Sequence, residues 1–302
     1  MKWMMVVMLM AGLSGCHWLD QTRVTGTGAV VERQQGLGDG VTRVLAGVPA
    51  TLHLVAGEPR GILIKGQENL LPYLELTESG DKLEIEVKEG YRLDPTEPLE
   101  LTITLPVLNE LALAGTGNGD LSGFKGDSLV LSVAGTGDIV ASQLELKRLE
   151  GNIAGTGSLE LGSGSAQAIE LNIAGAGDVL GSEMRGKEVE VNIAGSGDVA
   201  VRAQETLKVG IAGSGNIAYW GDPKVEQQIM GSGGVTARAA DINRSPQLKQ
   251  ARNGPVLLFP TRRYSLCHLC RSCISDVPAR RFFNTSRSLI MRLIRYGELI
   301  NY

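Results

Sequence analysis

The chain has 302 residues, with 29 Lys plus Arg against 33 Asp plus Glu; the resulting net charge of −4 excludes a charge-driven nucleic-acid binder. Its 40 glycines are roughly twice average usage, whereas 4 Phe, 6 Tyr and 3 Trp exclude a large aromatic core or stacking platform. A hydrophobic content of 43% excludes general disorder, and the glycines do not recur at every third residue as collagen requires.

At the start, Lys2 precedes an apolar run from Trp3 to Leu13, which has the length of a signal-peptide core and is too short to span a bilayer. The run ends in Leu13-Ser14-Gly15-Cys16, which resembles the lipobox of bacterial lipoproteins. That resemblance implies that residues 1–15 are a signal peptide. It also implies that the Cys16 thiol receives a diacylglyceryl group, so that more than one acyl chain holds the protein on a membrane. Residue 17 is His rather than the Asp of the inner-membrane retention rule, so an outer-membrane lipoprotein is expected, on either the periplasmic or the surface side. Residues 16–40 read as anchor and linker.

From residue 41 onward, short β-branched runs predict strands at Val41–Leu45, Thr51–Val55, Gly61–Lys65, Tyr73–Thr77, Lys82–Val87 and Leu99–Leu105. Glu78-Ser79-Gly80-Asp81 predicts a hairpin turn and Asp94-Pro95-Thr96-Glu97-Pro98 a loop.

A repeat follows. Ala114-Gly115-Thr116-Gly117 returns as a small-Gly-small-Gly bend with its first glycine at 135, 155, 175, 195 and 213, and as Met230-Gly231-Ser232-Gly233, in steps of 20 and then 18 residues. Apolar and polar residues alternate before each bend, as in Ile169-Glu170-Leu171-Asn172-Ile173, and a second short apolar run follows it, as in Asp178-Val179. A unit of 18–20 residues cannot bury its apolar face alone. Stacked on its neighbours at ~4.8 Å it gives a parallel β-solenoid of about seven coils with a continuous Ile/Val/Leu core. The strand-rich region before it is placed to cap the first coil.

The strand Gly61-Ile62-Leu63-Ile64, the segment Gln67-Glu68-Asn69-Leu70-Leu71-Pro72-Tyr73, the Gly-Asn-Ile-Ala-Gly-Thr-Gly repeat at 151–157 and Thr25-Gly26-Thr27-Gly28 together carry a family resemblance. Residues 41–240 resemble the auto-transporter adhesin, head GIN domain family, a domain of unknown function found in bacterial lipoproteins. The resemblance implies an all-β, single-stranded right-handed parallel β-helix and names no activity.

Stacking the repeats aligns their outward positions in columns. Five residues before each first glycine stand Glu110, Val130, Glu150, Glu170, Glu190, Lys208 and Glu226; three before it stand Ala112, Ser132, Asn152, Asn172, Asn192, Gly210 and Gln228. The Asn run can form an amide ladder, and the Glu run is a like-charge column that Lys208 relieves between Glu190 and Glu226. Glu150, Asn152, Glu170, Asn172, Glu190 and Asn192 are therefore the candidate binding face for a glycan or envelope protein, against the plain alternative of a solvated strand surface. A third column, Asn118, Asp138, Ser158, Asp178, Asp198 and Asn216, is expected to accept local backbone N–H bonds at the bends rather than to bind calcium. No catalytic residue, cofactor or metal is called: His17 and His53 are the only histidines before residue 241, so no Ser/His/Asp or Cys/His set can be assembled.

Residues 241–302 differ in kind. They carry 11 basic and 3 acidic side chains, lose the glycine period, and hold Cys267-His268-Leu269-Cys270-Arg271-Ser272-Cys273, a three-cysteine run that an exported protein would not normally carry. They are read as a disordered or weakly helical, spurious tail outside the fold. The sequence thus predicts a non-catalytic outer-membrane lipoprotein that presents a β-solenoid for adhesion or envelope contacts. A polysaccharide-acting β-helix enzyme and a structural protein that self-associates through its open end are the alternatives.

Overall fold

The computed structural model describes residues 21–238, all within the first of two compact units, Met1–Arg244. The expectations for Cys16 and the signal peptide, and for the 241–302 tail with its cysteines, lie outside the described residues.

Ten short elements precede the repeat: β1 (Thr22–Thr25), β2 (Val30–Gly36), β3 (Arg43–Gly47), β4 (Thr51–Ala56), β5 (Gly61–Gln67), a single 3-10 turn at Leu71–Tyr73, β6 (Leu74–Ser79), β7 (Lys82–Val87), β8 (Tyr91–Asp94) and β9 (Glu100–Leu105). The repeat then supplies β10 (Glu110–Gly115), β11 (Asn118–Ser122), β12 (Lys125–Gly135), β13 (Ile139–Ser142), β14 (Leu144–Gly155), β15 (Ser158–Leu161) and β16 (Gly164–Gly175). It ends with β17 (Asp178–Gly195), β18 (Val199–Gly213), β19 (Asn216–Trp220), β20 (Lys224–Gly231) and β21 (Gly234–Ala237).

The repeat is a parallel β-solenoid whose seven bends bound six turns. Strand segments before the glycines stack in one in-register face, Glu110 beside Val130, then Glu150, Glu170, Glu190, Lys208 and Glu226. Segments after the glycines stack in a second face through β11, β13, β15, the first part of β17, the first part of β18, β19 and β21. Alternation turns every second side chain inward, so Leu111, Leu131, Leu171 and Val191 form one buried column and Val133, Ile153, Ile173, Ile193 and Ile211 another. Gly151 interrupts the first column, and Leu159 and Leu171 fill the space that its side chain would take. The change of step from 20 to 18 residues is absorbed by register shifts between Gly181 and Arg185 and between Gly186 and Glu188 in the β17–β18 pair.

Layer order departs from chain order at the amino end. β3 and β4 form an inner layer near the amino end of the stack: β10 and β11 lie parallel on one side of them, β7 and β9 on the other. After β4 the chain therefore leaves the stack, builds the cap, returns as β7 and β9 beneath its own first coil, and only then climbs the repeat. The cap is antiparallel: β5 pairs with β9, β2 with β5, and β6 with β7 through the Gly80 turn, where φ is +64°. Arg43 clamps the crossing, with its Nε 2.6 Å from Glu110 on the layer above and its Nη1 3.8 Å from Asp81.

One expectation needs correction. Residues 16–40 do not form a linker throughout, because β1 pairs with β8 and β2 forms the outer edge of the cap. Val30-Val31-Glu32-Arg33-Gln34-Gln35 shows no alternation because an edge strand exposed along most of its length needs none.

Candidate functional site

The bends determine what each coil can present. At Gly155 the backbone has φ +137°, and a Cβ there would lie 2.2 Å from the carbonyl oxygen of Gly135 in the coil below. The same contact recurs at each first glycine from Gly135 to Gly231, while at Gly115, the first bend, nothing lies within 4 Å. The second glycine of each bend is constrained in the same way, as at Gly157, where a Cβ would lie 2.0 Å from the Gly137 oxygen. Closeness has a purpose, since the freed carbonyls accept the next layer's N–H: Thr156 N donates to Gly135 O at 2.9 Å, and Ala176 N to Gly155 O at 2.9 Å. Only glycine permits both the backbone angle and the approach.

The third column behaves differently from the local capping expected of it. Its side chains accept N–H groups from the following coil: Ser158 N donates to Asp138 Oδ1 at 2.8 Å, Asp198 N to Asp178 Oδ1 at 2.8 Å, and Asn216 N to Asp198 Oδ1 at 3.0 Å. In-register stacking brings the equivalent donor of the next layer within reach, so it replaces a donor from the same turn. Among the described residues, no group of three or more His, Cys, Asp or Glu is arranged to hold a metal ion.

The Asn and Glu columns form one connected lattice on the outward side of the first face. Asn172 Nδ2 donates to Asn152 Oδ1 and Asn192 Nδ2 to Asn172 Oδ1, both at 3.2 Å. The remaining amide hydrogens turn sideways within their own coil, from Asn152 to Glu150 at 3.0 Å, Asn172 to Glu170 at 3.3 Å and Asn192 to Glu190 at 3.4 Å. Each Asn is thereby fixed in two directions, which removes rotamer freedom before any ligand arrives. The carboxylate column is relieved by Arg148, which donates to Glu170, and not as expected by Lys208 alone. Lys208 acts at the far end, where it adds to the larger effect of Lys224 in holding the Glu226 carboxyl below its usual range.

Beside the amides runs a column that the sequence reasoning did not single out: Ala134, Ala154, Ala174, Ala194 and Ala212, all exposed, closed by Met230, which is 65% exposed. Alanine is a poor strand former at an outward position, and Met230 shows that this backbone position accepts a large side chain. Together with Ser132, Asn152, Asn172 and Asn192, these alanines floor a shallow groove of about 730 Å³. The signal was present in the spacing, one residue before each first glycine. At Gly210 the amide ladder stops, and Asn192 Oδ1 faces the gap.

The candidate residues Glu150, Asn152, Glu170, Asn172, Glu190 and Asn192 thus lie together on three successive layers. His53 stands apart on the second face, 3.6 Å from Asp120.

Solved structures share this architecture. A "putative adhesin" from Bacteroides fragilis aligns with TM-score 0.68 at 21% identity, over 71% of this chain and all of its own. A "putative lipid binding protein" from Parabacteroides distasonis aligns with TM-score 0.61 at 25% identity, over 72% of this chain and all of its own. A "putative adhesin" from the same species aligns with TM-score 0.56 at 23% identity, again over 72% of this chain and all of its own. A search of curated proteins finds no match. Residues 42–223 match the family described as "putative auto-transporter adhesin, head GIN domain", and the chain belongs to that family.

Proposed function

We propose that this protein is a non-catalytic cell-envelope lipoprotein that uses the ladder face of its solenoid for adhesion or for contact with envelope components. The observation that carries the reading is the pre-fixed lattice of Asn152, Asn172 and Asn192 with its parallel carboxylate column, since a rigid polar surface loses little entropy on binding. Family membership supports an adhesion-like role at the cell envelope or surface. The coils support it too: among the described residues each bend leads directly into the next strand, with no long loops to wall a catalytic cleft.

The outer-membrane anchor at Cys16 belongs to the same proposal. Only five residues, 17–21, separate Cys16 from β1, a reach of about 20 Å when extended. β1 pairs with β8, between the strands of the lowest coil, so an anchor at Cys16 would tether the protein by its capped end and leave the last coil facing away from the membrane. A second reading rests on the alanine-floored groove: an extended apolar chain fits that floor, in line with the description of the Parabacteroides distasonis neighbour as lipid-binding.

Two measurements test these readings. Metabolic labelling with a fatty-acid analogue should mark the wild type and not Cys16→Ser; label persisting in the variant would refute the anchor. Screens of glycans, envelope proteins and acyl-chain probes should return ligands whose binding weakens when Ala174→Lys fills the groove beside the ladder. Binding indifferent to that change would place the contact elsewhere on the solenoid.

A further inference from the structure

The two ends of the stack are finished differently. The amino end closes in antiparallel strands whose outward edges carry Glu32 and Arg33 on β2 and Glu75 and Glu78 on β6. At the other end β20 has a parallel partner, β18, on one side, and among the described residues nothing pairs with its other edge. Its inward side chains Val225 and Ile229 are only half-buried, whereas the residues they stack upon, Leu207 and Ile211, are 0% and 1% exposed. An open edge with an incompletely covered core beneath it is a template for another strand.

The sequence that follows does not repeat the pattern of this strand. One further 18-residue step would align Ile242-Asn243-Arg244-Ser245-Pro246-Gln247-Leu248-Lys249 with β20, placing Asn243, Ser245 and Gln247 at the inward positions and a proline in mid-strand.

We propose that the occupant is a second copy of this chain, paired antiparallel through β20 about a two-fold axis at Gln227. It deepens the adhesion reading, on which it rests for its biological role, by naming the partner. An antiparallel pair must match inward with inward positions, and of the registers that do so the one centred on Gln227 is self-complementary. It sets Val225 opposite Ile229 of the second copy and Ile229 opposite Val225, closing the half-buried core. On the outward side Glu226 meets Gln228, an acceptor opposite a donor, twice by symmetry, and Lys224 meets Met230. No like charges oppose one another. Centring on Gln228 instead would put Gln227 against Ile229 inside and Glu226 against Met230 outside. The in-register glutamine at the inward position, where the other coils carry Leu, Gly or Val, then lies beside its own symmetry mate and shares an amide pair with it.

With the proposed anchor joined to β1 at the opposite end, such a pair would carry its two anchors at its far ends. The nine parallel layers from β7 to β20 span about 38 Å within each copy, so the pair suits two facing membranes.

The test uses the full chain with Cys267, Cys270 and Cys273 replaced by Ser. Directly opposed positions at an antiparallel pair lie 4.5–5.5 Å apart between Cα atoms, within disulfide range, so Gln227→Cys should link to its own symmetry mate under mild oxidation, with the linked peptide carrying position 227 twice. Glu75→Cys at the capped end should not link above background. Gln228→Glu sets carboxylates against Glu226 twice per pair and should lower the linked fraction about tenfold, while Glu226→Gln with Gln228→Glu restores it to within about twofold. Linkage at 227 no greater than at 75, or a Gln228→Glu loss that the exchange does not restore, would overturn the pairing. Cys16→Ser in the same background separates the two claims: linkage at 227 persists without the anchor if the pairing is real, and adhesion between membranes is lost.

Discussion

The amino end and the carboxyl end of this solenoid are built from the same alternating strands, yet one is closed and the other is merely the last of a series. What closes the amino end is a set of side chains that belongs to no period. Gln67, 3% exposed, donates from Nε2 to Thr96 Oγ1 at 2.8 Å and accepts from the backbone N–H groups of Thr96 and Glu97 at 3.1 and 3.3 Å. Thr96 Oγ1 in turn donates to Gly26 O at 3.1 Å, and Asn69 holds the same segment by donating to Thr25 O and accepting from Thr27 N. The difference teaches that repetition propagates a coil but cannot stop one. Stopping requires specific long-range polar contacts, and these are written once.

The comparison can be broken most forcefully in the repeat itself. Gly155→Ala forces a Cβ into the carbonyl of the coil below, backbone against backbone, and should cost roughly 3 kcal/mol or more; Gly115→Ala, with φ +88° and open space, should cost about 1 kcal/mol from the backbone angle alone. Denaturant unfolding of the two variants measures the gap, and equal losses would contradict the stacking argument. Gln67→Ala comes next, at about 1–2 kcal/mol, because it removes the acceptor of two backbone N–H groups and the donor to the Thr96 hydroxyl. Hydrogen exchange should then show Thr22–Thr25 losing protection while β14 to β17 keep theirs.

Asn172→Ala removes a partner from both neighbours in the ladder and should cost about 1 kcal/mol, visible as a modest fall in unfolding midpoint. The smallest effect is at the open end. The Lys224 hydrogen bond, then its charge, holds the Glu226 carboxyl below the usual carboxylate range, so the contribution of this pair is complete above that range and is lost as pH falls through the lowered value. Both groups are exposed, so Lys224→Met should raise the Glu226 titration toward the usual carboxylate range by NMR, with Lys208 still acting on it, and leave the unfolding midpoint at neutral pH unchanged.

Legibility in the sequence followed the same division. The repeat could be read because one glycine needs both its backbone angle and its closeness to the layer below, so its spacing survives every change around it. The columns followed from that spacing, and with them the Asn152–Asn172–Asn192 contacts. Local strands of the amino-terminal part were also legible: Lys82–Val87 is a strand over the expected residues, and Gly80 makes the expected turn. Their order in the stack was not, because no local pattern tells β7 to return beneath β3. Strand β1 escaped notice because its only inward residue, Val24, is half-buried and its fixing partners lie at Gln67, Asn69 and Thr96. Arg148 was missed as the counterion of Glu170 because the two are 22 residues apart in the chain and meet only across a coil.

The ladder face as the recognition surface is the central claim, and the triple substitution Glu150→Gln, Glu170→Gln and Glu190→Gln addresses it most directly. Each Gln keeps an acceptor for its Asn neighbour, so stability should stay within about 0.5 kcal/mol of the wild type, which leaves binding as the informative readout. Titration of the ligand identified by screening should weaken at least several-fold in the triple variant and lose most of its salt dependence, while Glu160→Gln on the second face leaves it unchanged. Equal binding by the triple variant, or a loss reproduced by Glu160→Gln, would contradict the claim and return these columns to ordinary solvated strand surface.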